Sequence, residues 1–170
     1  MKIVLCGFMG CGKNTVGYRL AERLKYEFID MDKYIEDREG KNIRQIFADD
    51  GESYFRSLET LVCSELMEKD NIVLACGGGT VLKQENVDAL HAGGGKIYFL
   101  NVPVAALKER LKNDRVRPLL QVPDRNAVID RLYSERETKY LSAADVVVDA
   151  GAPANWLSKE MAEQILKEGK

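Results

Sequence analysis

A glycine-rich stretch near the start of the chain combines residues whose types and spacing suit phosphate binding. It runs Gly7-Phe8-Met9-Gly10-Cys11-Gly12-Lys13-Asn14-Thr15 and follows the apolar run Ile3-Val4-Leu5-Cys6. Glycines let successive backbone N–H groups point at phosphate oxygens, while Lys13 and the positive end of the following helix attract the same anion. The stretch therefore predicts a P-loop for ATP or GTP. An ordinary glycine-rich turn between a strand and a helix is the alternative.

One residue of this stretch departs from the P-loop pattern G-x-x-x-x-G-K-S/T. The pattern places a Mg²⁺-binding hydroxyl directly after the lysine, and this chain has Asn14 there. Thr15 is a poor replacement, because one further residue along a helix turns the side chain by about 100°. We therefore expect water or the Asn14 amide oxygen to replace the missing ligand, with weaker metal binding.

Two carboxylates end the second apolar run, which reads Phe28-Ile29-Asp30-Met31-Asp32. Ligands of open α/β sheets bind at the carboxyl ends of the strands, and residues two apart in an extended chain point to the same side. One carboxylate could hold Mg²⁺ through its water while the other accepts a proton from an attacking hydroxyl. The alternative is that Asp32 caps the next helix and Asp30 only ends the strand.

Further segments carry arginines or glycines that are candidates for ligand binding. Three glycines, Gly77-Gly78-Gly79, follow the third apolar run and suggest a backbone that approaches a ligand closely. Arg56 lies on a helical stretch whose other face carries Tyr54, Phe55, Leu58, Leu61 and Val62. Two more arginines occur in Arg117-Pro118-Leu119-Leu120 and at Arg136, one helical turn before Tyr140. Taken singly, each of these arginines is more often a solvated surface charge than a functional group. We expect Gly93-Gly94-Gly95, which no strand precedes, to form a plain turn.

Apolar runs alternate with helical patterns along the chain, which is typical of a parallel α/β sheet. Strands are predicted at Lys2–Cys6, Glu27–Asp30, Ile72–Cys76, Lys96–Asn101 and Asp145–Asp149. Helices are predicted at Lys13–Leu24, Asp32–Glu39, Ile43–Asp49, Glu52–Lys69, Gln84–Ala89, Pro103–Lys112, Arg125–Tyr140 and Ala154–Lys167. Residues 113–124 show little periodicity, so a mobile loop of the kind that forms active-site lids is predicted there.

Length and composition limit the class of partner. A chain of 170 residues fits one domain, and 25 Lys and Arg against 27 Asp and Glu argue against nucleic-acid or polybasic membrane binding. Glycines and Lys13 interrupt the N-terminal apolar run and no small-residue cleavage site follows, so no signal peptide is expected. Small-molecule partners are therefore expected.

The cysteines favour a reduced, cytoplasmic protein. Cys6, Cys11, Cys63 and Cys76 have no C-x-x-C spacing, and only His91 could complete a zinc site. Two of them, Cys6 and Cys76, end apolar runs and are expected to be buried. Cys11 lies near Lys13 and a helix N-terminus, so sensitivity to oxidation is expected. We expect His91 to end a surface helix.

Together these segments resemble the shikimate kinases, in order and spacing, from Lys2 to about Leu166. The resemblance is carried by GFMGCGKNT with Val16-Gly17 after it, Phe28-Ile29-Asp30-Met31-Asp32, Phe55-Arg56-Ser57-Leu58-Glu59, Gly77-Gly78-Gly79, Arg117-Pro118-Leu119-Leu120, and Arg136 with Tyr140. It implies a nucleoside-monophosphate-kinase-like fold with three α/β/α layers, strand order 2-3-1-4-5, and transfer of the ATP γ-phosphate to the 3-hydroxyl of shikimate. Composition and periodicity alone predict only a small P-loop kinase.

The resemblance implies that ATP contacts the P-loop and the lid, at Gly10, Cys11, Gly12, Lys13, Asn14, Thr15, Arg110 and Arg117. Lys13 would hold the β- and γ-phosphates, Arg110 would lie near the adenine, and Arg117 would swing in with the lid to touch the transferring phosphate. Asp30 would bind Mg²⁺ through water, beside Asn14. The implied adenine loop, residues 149–153, contains no arginine, so its hold on the nucleotide is expected to be weaker or purely through backbone.

The implied acceptor site comprises Asp32, Phe47, Phe55, Arg56, Gly78, Gly79 and Arg136. Asp32 would contact the reacting hydroxyl and, with Lys13 and Arg117, form the catalytic set. Arg56 and Arg136 would bind the shikimate carboxylate, a group that guanidinium forks recognise well. The two glycines would donate backbone N–H groups, and the two phenylalanines would wall the ring.

Two other kinds of function remain open. A kinase for another small polyol acid such as gluconate would keep the P-loop but should lack the arginine pair. A noncatalytic nucleotide-binding module is supported only by Asn14, and the presence of Lys13, Asp30, Asp32 and Arg117 argues against it. The resemblance to the shikimate kinases favours ATP, shikimate and Mg²⁺ as the ligands. We expect the protein to be a monomer.

Overall fold

The computed structural model describes residues 1–169. Its sheet has five parallel strands in the order β2-β3-β1-β4-β5. The strands are β1 Lys2–Cys6, β2 Glu27–Asp30, β3 Ile72–Ala75, β4 Gly95–Asn101 and β5 Val146–Asp149. Val4 of the central strand pairs with Leu74 on one side and Ile97 on the other. The predicted strand order is confirmed.

The described residues form eight α-helices. These are α1 Lys13–Leu24, α2 Met31–Glu39, α3 Ile43–Asp49, α4 Glu52–Leu66, α5 Gln84–Ala92, α6 Val104–Leu111, α7 Arg125–Ala143 and α8 Ala154–Glu168. Short 3₁₀ helices cover Thr80–Leu82 and Pro118–Leu120. The prediction that α4 extends to Lys69 is wrong, because the chain tightens after Leu66 and the Lys69 N–H donates to the Leu66 carbonyl at 3.2 Å.

Burial across the sheet follows from the parallel topology. Crossover helices cover both faces, so the central strands β1 and β3 are almost entirely apolar and buried. In the edge strand β5, partly buried residues alternate with exposed ones, and half of the Val147 surface is exposed (50%). Helix α1 packs against α8, and α4 packs against α5. This scaffold brings the carboxyl ends of β1, β2 and β3 to one edge.

The segment predicted as a loop without regular structure, 113–124, contains the 3₁₀ helix and is anchored at its second half. Leu120 is fully buried, and the Arg125 side chain donates to the Leu120 carbonyl at 3.0 Å and the Leu111 carbonyl at 2.6 Å. Val116 at the tip is 84% exposed. Mobility of this lid remains a prediction, and Val116 is its most exposed large apolar side chain.

The structure adds two details of packing that the sequence did not show. Tyr54 and Leu61 are exposed, because the core face of α4 is formed by Phe55, Leu58, Glu59, Val62, Cys63 and Leu66. Gly93-Gly94-Gly95 is more than a turn, because a Cβ at Gly93 would lie 2.3 Å from Met67 Cβ. The third glycine of this triplet begins β4.

All four cysteines are buried and free. Burial of Cys6 and Cys76 agrees with prediction, whereas burial of Cys11 removes the access on which its expected oxidation depended. His91 lies in the last turn of α5, and its Nε2 is 3.1 Å from Asp145 Oδ2. Residues 1–169 contain no helix long and apolar enough to cross a membrane.

Candidate active site

A cleft of about 320 Å³ opens where the carboxyl ends of β1, β2 and β3 meet. It is lined by Met9, Gly10, Gly12, Lys13, Asn14, Thr15, Asp30, Asp32, Cys76, Gly78 and Arg117. Motifs more than a hundred residues apart thus share one cavity. This is the edge at which open α/β sheets bind ligands.

The P-loop surrounds the positive end of α1. Gly12, directly before that helix, has φ +96°, a left-handed conformation that glycine adopts without strain. Lys13 Nζ donates to the carbonyls of Gly7 at 2.8 Å and Phe8 at 3.3 Å. The ammonium group is therefore held inside the loop, and it lines the cleft where an anion would meet it.

Asp30, not Asp32, caps the second helix. Asp30 Oδ1 accepts hydrogen bonds from the N–H groups of Asp32 at 3.0 Å and Lys33 at 3.3 Å. Its other oxygen, Oδ2, accepts from Asn14 Nδ2 at 2.6 Å. The alternative that Asp32 is a simple cap is therefore wrong, and the Asp32 side chain is left to face the cleft.

The surroundings of Asp32 change the acidity of its carboxyl group. Burial raises its pKa to about 6, and the negative charges of Asp30 and Glu59 act in the same direction. Lys13 favours the ionised form but does not compensate. A carboxylate with this pKa is suited to accept a proton near neutral pH.

The glycine triplet after β3 lies where side chains from three helices come together. A Cβ at Gly77 would lie 2.8 Å from Asp32 Oδ1, and a Cβ at Gly79 would lie 2.6 Å from Arg56 Nη1. At Gly78 the corresponding distance to Arg136 Nη1 is 3.8 Å. Side chains here would displace the carboxylate and the first guanidinium, so the loop brings together groups from α2, α4 and α7.

Glu59 is a site residue that the sequence analysis quoted within a motif but to which it assigned no role. It is a buried carboxylate, 1% exposed, one turn from Arg56 on α4. Glu59 Oε2 accepts from Arg56 Nη1 at 2.6 Å, and Oε1 accepts from Thr80 Oγ1 at 2.8 Å. Both oxygens are thus paired, and Glu59 fixes the guanidinium against the glycine loop. The i, i+3 spacing of Arg56 and Glu59 was the signal available in the sequence.

Tyr140 holds the glycine loop from the other side. Its side chain is fully buried and stacks on Phe99, with ring centroids 5.3 Å apart. The hydroxyl donates to the Gly78 carbonyl at 2.7 Å. Because burial raises the pKa of Tyr140 to about 12, the hydroxyl stays protonated and remains a donor.

Several predicted site residues lie beside the cleft rather than on its described wall. Arg110 Nη1 donates to the Gly10 carbonyl at 3.2 Å, outside the P-loop. Phe55 is buried and packs edge-on against the exposed Phe47, with ring centroids 5.1 Å apart. The Cys11 side chain is buried within the P-loop, with its sulfur 3.7 Å from Lys13 Nζ. Their roles toward a ligand remain predictions.

Known proteins that are similar to this chain identify its family. A family model described as shikimate kinase matches residues 9–169. The chain belongs to the shikimate kinase family. A shikimate kinase of Aromatoleum aromaticum is 45% identical over 151 residues, covering 89% of this chain and 86% of that protein. As a shikimate kinase family member, the chain is an ATP-dependent kinase that phosphorylates an alcohol group.

Two solved structures resemble this chain to different degrees, one in sequence and fold and the other in fold alone. The shikimate kinase from Acinetobacter baumannii in complex with shikimate has a TM-score of 0.90 and 36% identity, covering 98% of this chain and 93% of that one. A gluconokinase from Sinorhizobium meliloti has a TM-score of 0.56 at 20% identity, covering 99% of this chain and 97% of that one. The second likeness shows the P-loop kinase fold alone.

Proposed function

We propose that this chain transfers the γ-phosphate of ATP to the 3-hydroxyl of shikimate in the cleft described above. The observation that carries the proposal is the convergence at the glycine triplet, where Asp32, Arg56 and Arg136 approach the same short loop. Two guanidinium groups can bind the carboxylate of an acceptor, and the raised pKa of Asp32 suits it to accept a proton from an acceptor hydroxyl. A compact acceptor that carries both groups fits this arrangement.

In the proposed complex the acceptor lies over the glycine loop. Arg56 and Arg136 bind its carboxylate, and Gly78 and Gly79 donate backbone N–H groups to it. Phe47 and Phe55 flank the ring from α3 and the start of α4. Glu59 supports this role indirectly, because it holds Arg56 in one orientation.

The proposed reaction is an in-line displacement at phosphorus. Asp32 accepts the proton as the 3-hydroxyl oxygen bonds to the γ-phosphorus, and the bond from that phosphorus to the β,γ-bridging oxygen breaks to leave ADP. Lys13 and Arg117 stabilise the charge on the transferring group, as positioned cations do in phosphoryl transfer. ATP contacts Gly10, Cys11, Gly12, Lys13, Asn14, Thr15, Arg110 and Arg117.

The oxygen atoms at the phosphate end of the cleft fit Mg²⁺ as ligands. Asn14 carries an amide oxygen and Asp30 a carboxylate, and Mg²⁺ binds oxygen ligands, commonly one or two protein groups with phosphates and retained waters. Within residues 1–169 no cluster of three or more His, Cys, Asp or Glu offers an all-protein cage. When bound with ATP, Mg²⁺ would neutralise phosphate charge. Asn14 and Asp30 would hold it, Asp30 through water.

The deciding experiment is a coupled ADP-release assay with shikimate, with gluconate and with no acceptor. We expect ADP release that saturates with shikimate and stays at background in the other two reactions. A preference for gluconate would contradict the proposal. Nucleotide binding without turnover on any acceptor would instead favour the noncatalytic module.

We also propose that the enzyme works as a monomer in the cytoplasm. The four free, buried cysteines and the near-neutral net charge of −2 support a reducing compartment and small-molecule ligands. Light scattering coupled to size-exclusion chromatography would measure the mass in solution. A particle of twice 19.1 kDa would contradict the monomer.

Asn14→Ser tests the departure in the P-loop. Serine restores a hydroxyl after Lys13 and removes the 2.6 Å hydrogen bond from Asn14 to Asp30, which leaves Asp30 Oδ2 free for metal-bound water. We expect a higher kcat or a lower Mg²⁺ concentration for half-maximal rate, with little change in metal-free nucleotide affinity. Titration of Mg²⁺ against rate measures this. Asn14→Ala is the control, because it removes the same bond without adding a hydroxyl; equal Mg²⁺ dependence and rate in the serine variant and the original protein would contradict the prediction.

Tyr140→Phe tests the support of the glycine loop. The substitution removes the donor to the Gly78 carbonyl, so we expect the KM for shikimate to rise about two- to tenfold, the equivalent of ~0.5–1.5 kcal/mol, with the KM for ATP unchanged. Tyr133→Phe is the matched control, because its hydroxyl donates to Asn101 at 3.1 Å, away from the loop. Equal effects of the two substitutions on the shikimate KM would exclude this role.

A further inference from the structure

The lid contains an acidic side chain, Asp114, whose partners all belong to the tip of the same loop. Its Oδ1 accepts from the N–H groups of Val116 at 3.1 Å and Arg117 at 2.9 Å. Its Oδ2 pairs with Arg117 Nη1. Although Asp114 precedes an exposed tip, only 10% of its side chain surface is exposed. One carboxylate thus holds both the backbone and the guanidinium of Arg117.

The rest of the loop closes around this pair. Gln121 Nε2 donates to the carbonyls of Asp114 at 3.1 Å and Arg117 at 2.9 Å. Burial disfavours the ionised carboxyl, but the Arg117 and Val116 N–H groups and the Arg117 charge hold the pKa of Asp114 below its usual range. The carboxylate is therefore charged throughout the neutral range. The segment from Asp114 to Gln121 is a hydrogen-bonded unit rather than a free coil.

Arg117 lines the cleft while it is paired in this way. A guanidinium has five N–H donors, and the pairing with the Asp114 side chain uses Nη1. The remaining donors are available to an anion in the cavity that also contains Lys13. A free arginine would have to lose its rotamer entropy when it met the phosphate, whereas the pairing restricts it beforehand.

We propose that Asp114 is a positioning residue, which holds the guanidinium of Arg117 over the phosphate end of the cleft so that it meets the transferring phosphate already oriented. The inference rests on the proposed function, since it concerns the same reaction. It assigns to Asp114 an action through Arg117 and no contact with either substrate.

The test uses nucleotide binding, which does not depend on the acceptor. Arg117 is proposed to touch the transferred phosphate, so loss of Asp114 should affect a non-hydrolysable ATP analogue but not ADP. For Asp114→Ala we expect about three- to tenfold weaker binding of the analogue and unchanged ADP binding, measured by calorimetry with Mg²⁺. Asp114→Asn keeps an oxygen for the two backbone N–H groups but loses the charge, so its analogue affinity should fall between those of the alanine variant and the original protein.

A double-mutant cycle with Arg117→Ala separates positioning from a general structural effect. If Asp114 acts through Arg117, Asp114→Ala changes analogue binding little once Arg117 is gone. Additive losses would overturn the proposal, and so would tighter analogue binding by Asp114→Ala, which would make Asp114 a competitor of the phosphate. Asp130→Asn, which removes an exposed partner of Lys108, is the charge control and should leave both affinities unchanged.

Kinetics supply the second measurement. We expect kcat with shikimate to fall about tenfold in Asp114→Ala while the KM for shikimate stays constant, and unchanged kcat would overturn the proposal. If the original chain does not phosphorylate shikimate, the proposed function fails, yet the binding cycle still decides the relation between Asp114 and Arg117. Melting temperatures of all variants identify any that fail to fold.

Discussion

The Asp32→Asn variant is expected to bind nucleotide normally but to lose about 10²- to 10⁴-fold in kcat, the range typical of general-base catalysis. An amide has nearly the shape of the carboxylate but neither accepts the hydroxyl proton nor carries charge. The fold should survive, because the cap of α2 is the side chain of Asp30. Steady-state rates and nucleotide titration measure the two effects separately.

The same residue predicts the pH dependence. The pKa of Asp32 is raised to about 6, and the base works in its ionised form, which predominates above that pH. We expect kcat/KM for shikimate to fall tenfold per pH unit below about pH 6, since this parameter reports groups of the free enzyme. Asp32→Asn should lack this acid limb.

A neighbouring surface carboxylate serves as the control for Asp32. Asp37 lies on the same helix and pairs with Lys33 at the surface, so Asp37→Asn should leave both kcat and the pH profile unchanged. If Asp32→Asn turned over near the original rate, or kept the limb near pH 6, its carboxylate would not be the base. The fall in kcat/KM below about pH 6 would then have to come from another group of the cleft.

Arg136→Ala is expected to raise the KM for shikimate about ten- to a hundredfold while the affinity for ATP barely changes. A charge-assisted hydrogen bond contributes ~1.5–3 kcal/mol, and each arginine is proposed to make such contacts with the carboxylate. Arg56→Ala should have a similar effect on the KM. Titration of shikimate against both variants gives the shifts.

The two arginines should differ in their effect on stability. Arg56 pairs with Glu59, which is 1% exposed, so its removal leaves a buried carboxylate without its cation and should also lower the melting temperature. Arg38→Ala, which breaks an exposed pair with Glu65, is a control that should leave the KM unchanged. Unchanged acceptor affinity in both Arg56→Ala and Arg136→Ala would refute the proposed carboxylate site.

The sequence by itself determined the elements and their order. Apolar runs of four to seven residues alternating with amphipathic stretches leave few ways to bury the apolar surface other than a covered parallel sheet. The P-loop could be located because Gly12 and Lys13 act through local backbone geometry, which depends on neighbours in the chain. Boundaries such as the end of α4 at Leu66 were missed, because helix ends depend on contacts made by the following turn.

Only the tertiary structure decided how distant residues meet. The hydrogen bonds from Asn14 to Asp30, from Thr80 to Glu59 and from Tyr140 to the Gly78 carbonyl join residues 16 to 62 positions apart, and no spacing rule predicts which partner such a side chain finds. The same applies to the pKa of Asp32, because burial and nearby charges arise only after β2, α4 and the P-loop have packed together. Local patterns specify local geometry, whereas the chemistry of the cleft depends on distances set by the whole packed chain.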